Sequence, residues 1–539
     1  MMTPSHQHIM HAEHDADDRE LEALGYVAAM PRRFSATSLF SLCFALTATW
    51  NGFGAAIGTS IAESSSSGTI WTLVIAAIMN LIVSLGMAEL ASAYPNSGAQ
   101  YYWSYRVANP EWAPFASYIS ACISTCGWWL GLASVCNFVA AMILAMVRLY
   151  VEDYVITPWH QWLCYVLVIW LAVAINTFGM RHLPALSEFV LHFSVGTLVV
   201  TVVTILMYAA PRFQSSTWVF TDITSRNESY DEHFLFILCL LNNTYGFMGT
   251  DAGAHLAEEI PSPSVNAPKV IIFPVVLGLV TAWPFAIACM FVITDVEQVV
   301  YPPSGISLLE IYYQATRSKP ITLVLLSAFA ICLFGCAVAN IAGSSRQIWA
   351  ASRDDCYPLS EWLAKIDTKW QMPLNAALLS ATFTTFYGLI FLGSTTAFAS
   401  MVSANIVFMM TSYVIPQGII AWRGRSETLP ARPFDLGSWG IIINVTSCLW
   451  VCFINIVACF PIELPVTISN MNWVGLVVVA ITTYIVLAWY LWQRYVFKGP
   501  RINLEMEAEL SRSRGGVFNQ TLSVAEDCSD SLLKERKID

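Results

Sequence analysis

A dozen times along this chain, twenty or so predominantly apolar residues follow one another with hardly a charge among them. A helix needs about 20 such residues to cross a hydrocarbon layer roughly 30 Å thick. Inside that layer every backbone N–H and C=O must find a partner within the protein, so such runs fold as helices. They fall at about 37–62, 69–93, 113–147, 160–179, 187–210, 233–256, 268–294, 320–348, 373–393, 396–420, 437–460 and 470–496. Only 12% of the residues are charged, half of the roughly 25% usual in soluble domains. The chain therefore reads as an all-α integral membrane protein of twelve transmembrane helices.

The placement of Lys and Arg orients these helices. With the N-terminus inside, 21 of the 26 basic residues fall on the cytoplasmic side and 5 outside, so both termini are expected in the cytoplasm. Runs one to five fill 36–210 and runs six to ten fill 233–420. Five is odd, so the second unit enters the bilayer from the opposite side, which makes a five-plus-five inverted repeat. Residues 421–497 add two further helices, and 211–232 form an extracellular loop. The segments 1–35 and 498–539 read as cytoplasmic tails, the first of them disordered. No signal peptide is expected. His6, His8, His11 and His14 read as solvated tail residues. The 14 cysteines sit mostly in apolar runs without companion ligands, so they read as packing residues, with no metal and no cofactor. A pI near 5.3 and a net charge of −11 give no basic surface for nucleic acid.

Two runs are interrupted, at matching places in the two units. In the first, Trp50, Asn51, Gly52, Phe53 and Gly54 open a polar, glycine-rich stretch that continues to Gly58. In the second, Asn242 to Asp251 includes Tyr245, Gly246, Phe247, Gly249, Thr250 and Asp251. Unwound backbone at membrane depth survives where it lines a polar cavity, and paired breaks point to a transporter's substrate site. The freed N–H groups of the first break suit an anionic group, and Trp50 and Phe53 offer faces to a cation.

Asp251 stands near mid-depth, where a carboxylate marks a substrate or ion path. Asp251, His255, Glu258 and Glu259 share one helix face. Asp251 and His255 are candidates for proton coupling, while Glu258 and Glu259 are expected at a solvated helix end. Glu89 and the stretch 94–103 read as gate support, with Tyr and Trp at headgroup depth. Asn80, Asn137, His192 and Asn340 read as interhelical hydrogen-bonding residues. Asn227 heads a glycosylation sequon in the outer loop.

No Walker motif, HExxH or nucleophile elbow is present, which argues against an enzyme and against an ATP-driven pump. A secondary carrier and a non-transporting nutrient sensor remain as alternatives.

The stretch Phe247-Met248-Gly249-Thr250-Asp251-Ala252, with His255, Glu258-Glu259, Pro261, Pro263, Asn266, Pro268 and Lys269, resembles the sixth-helix signature of fungal amino acid/choline permeases. Ala88-Glu89-Leu90, Ser92-Ala93-Tyr94-Pro95, Gln100-Tyr101-Tyr102-Trp103, Asn176-Thr177-Phe178-Gly179 and Leu183-Pro184 are similar as well. Those permeases belong to the amino acid–polyamine–organocation superfamily. The resemblance implies a LeuT-like inverted repeat with helices one and six broken. It implies a secondary carrier of choline, γ-aminobutyrate, an amino acid or a related amine, for uptake or for efflux along a metabolite pathway; a symporter in the plasma membrane is the expectation. It also places the substrate at both breaks.

Overall fold

The computed structural model describes residues 17–502 apart from 20, 152, 462, 468 and 469; the four tail histidines and the chain beyond 502 lie outside the described residues. Regular structure among the described residues is entirely helical. Ten stretches among the described residues are long and apolar enough to cross a membrane. Nine correspond to single expected runs. The tenth, Ala36–Ala93, merges the first two, and the run expected at 233–256 is too interrupted to count.

The elements that position the site are α1 (Ala36–Thr47), α2 (Thr49–Ala93), α3 (Gln100–Val107), α4 (Ala113–Tyr150), α5 (Pro158–Phe178) and α6 (Leu183–Ala209). After them come α7 (Glu232–Tyr245), α8 (Ala252–His255), α9 (Pro263–Val292), α10 (Lys319–Ser352), α11 (Leu374–Tyr387), α12 (Thr395–Arg423), α13 (Gly440–Val457) and α14 (Val474–Ala488).

Local chemistry explains several boundaries. Ser35 and Ser38 form a capping box at the start of α1, each side chain accepting from the other's backbone N–H at 3.0 and 2.9 Å. Asp231 caps α7 by accepting from the backbone N–H of His233 and Phe234. The serine run 64–67 turns α2 sharply, with Ser65 at φ 50°. Its hydroxyls replace lost helix bonds by donating to Asp222, Trp218 and Phe220, which are the segment just before α7. A serine-rich gap in hydropathy is thus a pinned kink.

The bundle core is α2 packed on α9 and α7, flanked by α4 against α10 and α12. Apolar side chains such as Leu167 on α5, Met207 on α6, Leu449 on α13 and Leu487 on α14 face outward, as expected of surfaces that meet lipid rather than water.

The N-terminal segment corrects the expectation of a disordered tail from residue 17 onward. Leu21, Leu24, Tyr26, Met30 and Phe34 are buried. The Tyr26 hydroxyl donates to Asp354 at 2.6 Å, and its ring lies under the Arg353 guanidinium at 4.2 Å. Gly25 packs on the backbone of Arg501, so both described ends of the chain meet on one face. Apolar residues at 21, 24, 26, 30 and 34 cover a bundle end that water would otherwise reach. Burial pushes the Asp354 carboxyl up, opposed by the Tyr26 hydroxyl, Arg353 and the Tyr101 hydroxyl.

Replacing Tyr26→Ala removes both the stacked ring and the hydrogen bond to Asp354. Amide exchange at 21–34, read by mass spectrometry, should rise at least tenfold while the membrane helices keep their protection. Unchanged protection at 21–34 would contradict the packing role.

Candidate functional site

The first break is smaller than the sequence suggests, and it comes earlier. The chain leaves helical geometry only at Ala48, in the left-handed region at φ 40° and ψ 42°. Residues 50–58, expected to be unwound, are helical within α2. Their glycines serve close packing. A Cβ at Gly52 would lie 3.2 Å from the Gly246 Cα, one at Gly54 would meet the Phe329 ring at 2.9 Å, and one at Gly58 would collide with Ser307. The break still leaves the first turn of α2 without a side-chain cap, so its N–H groups and the positive end of the helix dipole remain available.

The second break lies where the sequence puts it. After α7 the chain turns through 246–251, with Gly249 at φ +82°, a conformation that favours glycine. The two breaks touch, Gly52 against Gly246.

Between them lies a cavity of about 40 Å³, the space of one or two waters. Gly52, Tyr245 and Gly249, three of the residues named from the sequence, line it. Ala48, Gly131, Cys336, Asn340 and Asn405 line it too. Leu46, at the break, gives its carbonyl to the Cys336 thiol at 2.9 Å. Asn340 reads from sequence as an interhelical tether, yet its side-chain oxygen has no partner; nor does that of Asn405. Asn405 is a lone amide in an apolar run, and that was the available signal.

The remaining expected residues lie outside the cavity lining. Trp50 donates its indole N–H to Ser194 at 2.8 Å and packs edge-on to Phe285 and Phe329. Phe53 meets Phe285. Asn51, Gly54, Gly246, Phe247 and Thr250 are absent from the lining as well.

Asp251 is fully buried and turned to a cluster of its own. Its Oδ1 accepts from the Tyr413 hydroxyl at 2.7 Å, and its Oδ2 accepts from Gln100 Nε2 at 2.8 Å. His255 Nε2 lies 3.1 Å from the same Oδ2, and His255 Nδ1 lies 2.9 Å from the Ser97 carbonyl oxygen. A carbonyl only accepts, so Nδ1 carries a proton. One more proton must then sit between Nε2 and Oδ2, either on the imidazole as an ion pair or on the carboxyl as a neutral pair. Tyr413 also accepts from the Gly249 N–H at 3.2 Å, which ties this cluster to the cavity wall. The role of Gln100 and Ser97 was not legible in the sequence: the expected interfacial element 94–103 has Tyr101, Tyr102 and Trp103 buried inside protein.

A family model described as amino acid permease matches residues 37–482. The chain belongs to the amino acid permease family. It is 30% identical over 475 residues to a Saccharomyces cerevisiae choline transporter, covering 87% of this chain and 84% of the relative. It is 28% identical over 506 residues to a rice amino-acid permease BAT1 homolog, covering 91% and 96%. It is 26% identical over 511 residues to the Arabidopsis thaliana amino-acid permease BAT1, covering 91% and 97%. The protein is a multi-pass membrane transporter of this family and not an enzyme.

In this permease the two faces differ. On the face away from the described chain ends, a vestibule of about 960 Å³ is lined by Glu63, Phe138, Asn227 and Glu297 among others. Phe138, lining the vestibule, packs at 6.0 Å on Tyr245, which lines the cavity and shares a 2.7 Å hydrogen bond with Ser134. The two spaces thus meet at this aromatic pair. Away from the vestibule, outside the cavity lining, lie buried ion pairs. Glu259 holds Arg346 at 2.8 Å, with both side chains almost wholly buried. Glu258 accepts two hydrogen bonds from Arg353, at 2.7 and 3.0 Å. Glu89 binds both Arg425 and Arg432.

Glu258 and Glu259 are therefore not the solvated helix end expected from sequence. Each has an arginine partner from the α10 segment, 87 or more residues away in the chain, which no local pattern displays.

Breaking one partner of a buried pair costs about 3–5 kcal/mol, whereas an apolar replacement of both is often neutral. Arg346→Leu should lower the thermal midpoint of the purified permease sharply. The double replacement Arg346→Leu with Glu259→Leu should recover most of the loss. A double variant no better than the single would contradict a paired role.

Proposed function

We propose that this permease is a secondary active carrier of a small amino compound, choline being the alternative cargo, and that it works by alternating access with a proton as the coupling ion. The observation that carries this reading is the meeting of two broken helices at one buried cavity, with an open vestibule on one side and ion pairs on the other. That is the arrangement expected of a carrier holding its site between two gates. The printed names of the relatives, choline transporter and amino-acid permease, agree with a cargo bearing a cationic nitrogen.

In this reading the chain crosses the membrane twelve times. The kink at 64–65 divides α2 into two passes, and α7, the turn and α8 make a broken sixth. Spans one to five and six to ten form the inverted repeat, with both termini in the cytoplasm of a plasma-membrane protein and Asn227 glycosylated outside. The uncapped first turn of α2 receives the anionic group of the cargo, if it has one. The ion pairs at Glu258, Glu259 and Glu89, with the strap formed by residues 17–34, hold the inner gate shut.

Asp251 and His255 supply the coupling. Losing their shared proton would leave a carboxylate facing an imidazole lone pair, which is unfavourable in a buried site. The pair would then have to rearrange, pulling on Tyr413 and through it on Gly249 at the cavity wall. Protonation and cargo are thus linked through one hydroxyl.

Counterflow in proteoliposomes, loaded and challenged with γ-aminobutyrate, choline and α-amino acids in turn, tests the carrier reading. Exchange of at least one labelled compound is expected; binding with no exchange of any would leave a sensor instead. Asp251→Asn should abolish pH-driven accumulation while sparing exchange. Accumulation unchanged in that variant would remove Asp251 from the coupling.

A further inference from the structure

The deeply buried carboxylates described so far each have a counter-group: a histidine beside Asp251, arginines beside Glu89, Glu258 and Glu259. Glu63 has none among the described residues. It is 5% exposed, and its bond is to a neutral amide: Asn242 Nδ2 donates to its Oε2 at 2.7 Å. Its Oε1 has no partner among the described residues and is not sealed from solvent. A carboxylate withdrawn this far from water is costly to keep without a charge of opposite sign.

The position of Glu63 makes the missing counter-charge informative. Glu63 lines the vestibule of about 960 Å³. It lies on α2 eleven residues after Gly52 of the cavity wall, about 16 Å along the helix, so it stands apart from the cavity. Asn242 belongs to α7, so the carboxylate sits where the vestibule-side arms of the two broken helices meet. Glu228, Glu297 and Glu463 add exposed carboxylates to the same vestibule, against the guanidinium of Arg226. None of these four forms an ion pair among the described residues. A cleft lined by one sign of charge focuses its field, which concentrates counter-ions and speeds their arrival by about tenfold or more.

We propose that Glu63 anchors an ammonium-binding site in the vestibule, where the cationic nitrogen of a small amine, primary or quaternary, rests before the cavity takes it. Contact with Oε1 supplies the charge that Asn242 does not, and the exposed carboxylates draw the cation in. That this cation is cargo rests on the carrier reading; that a cation binds here does not.

Thr59, exposed one turn earlier on the same face of α2, also lines the vestibule, and Thr59→Cys makes it a reporter. In the full-length permease, with the protein lacking that thiol as blank, trimethylammonioethyl methanethiosulfonate should outrun its anionic sulfonatoethyl counterpart. The expected factor is about tenfold or more, relative to their rates with a free thiol. Ethanolamine and choline should each slow labelling by neutral methyl methanethiosulfonate saturably, and ethylene glycol should not. Glu63→Gln keeps an acceptor for Asn242, and should abolish that protection without lowering the ligand-free thermal midpoint. Glu297→Gln should weaken the cation preference and leave the protection. No cation preference, no saturable protection, or protection that survives Glu63→Gln would overturn the proposal. So would equal loss of protection in both variants, which marks a diffuse field and not a site. Should Glu63→Gln fail to fold, ethanolamine against ethylene glycol on the Thr59→Cys protein still decides. Counterflow separates this from the carrier reading: protection without exchange defeats the carrier and keeps the site, while exchange without protection does the reverse.

Discussion

Hydrocarbon offers no hydrogen bonds, and the architecture of this permease follows from how it meets that constraint at two places where the helix stops. At Ala48 the chain leaves helical dihedrals for a single residue, which still donates to Phe44 and accepts from Gly52, and at 246–251 it turns out of the helix. Neither break faces lipid. They are pressed together at Gly52 and Gly246, and the groups they release are taken up by Cys336, by Tyr413 and by the cavity between them. The cost of unsatisfied backbone polar groups in such a setting is several kcal/mol each. Anything that parts the two breaks must therefore offer those groups water or a ligand.

The same economy governs charge. Asp251, Glu258, Glu259 and Glu89 are all almost fully buried, and each has its counter-group: a histidine with a shared proton, or one or two arginines. Three of the four acids lie in the segment running from the second break to the start of α9. The arginine partners of Glu258 and Glu259 belong to α10 and its end. The segment that follows the second break is thereby fastened to a neighbouring helix by ion pairs.

The order of helices, the existence of two breaks and the location of the second were legible because hydropathy and glycine-rich interruptions are local signals. The first break was misplaced for a physical reason: Gly52, Gly54 and Gly58 look like unwound backbone but act as contact points for Gly246, Phe329 and Ser307, and a left-handed Ala48 leaves no trace in composition. Asp251 and His255 stood out as polar residues in an apolar run, yet Gln100, Ser97 and Tyr413, which orient them, come from distant segments. Asn405 was hidden for the same reason. Burial of 21–34 was missed because its apolar residues are spaced too irregularly to form a helical face, although they pack well as a helical turn followed by an irregular strap.

We propose that the cavity opens to each side in turn. Its most direct test is a thiol at the first break, Thr47→Cys, in a variant freed of its native reactive cysteines and reconstituted in oriented vesicles. Thr47 lines the cavity, so the account predicts labelling by a membrane-impermeant maleimide from either side, and protection from both by a bound amine. Labelling from the vestibule side alone, under every gradient and ligand tried, would contradict it.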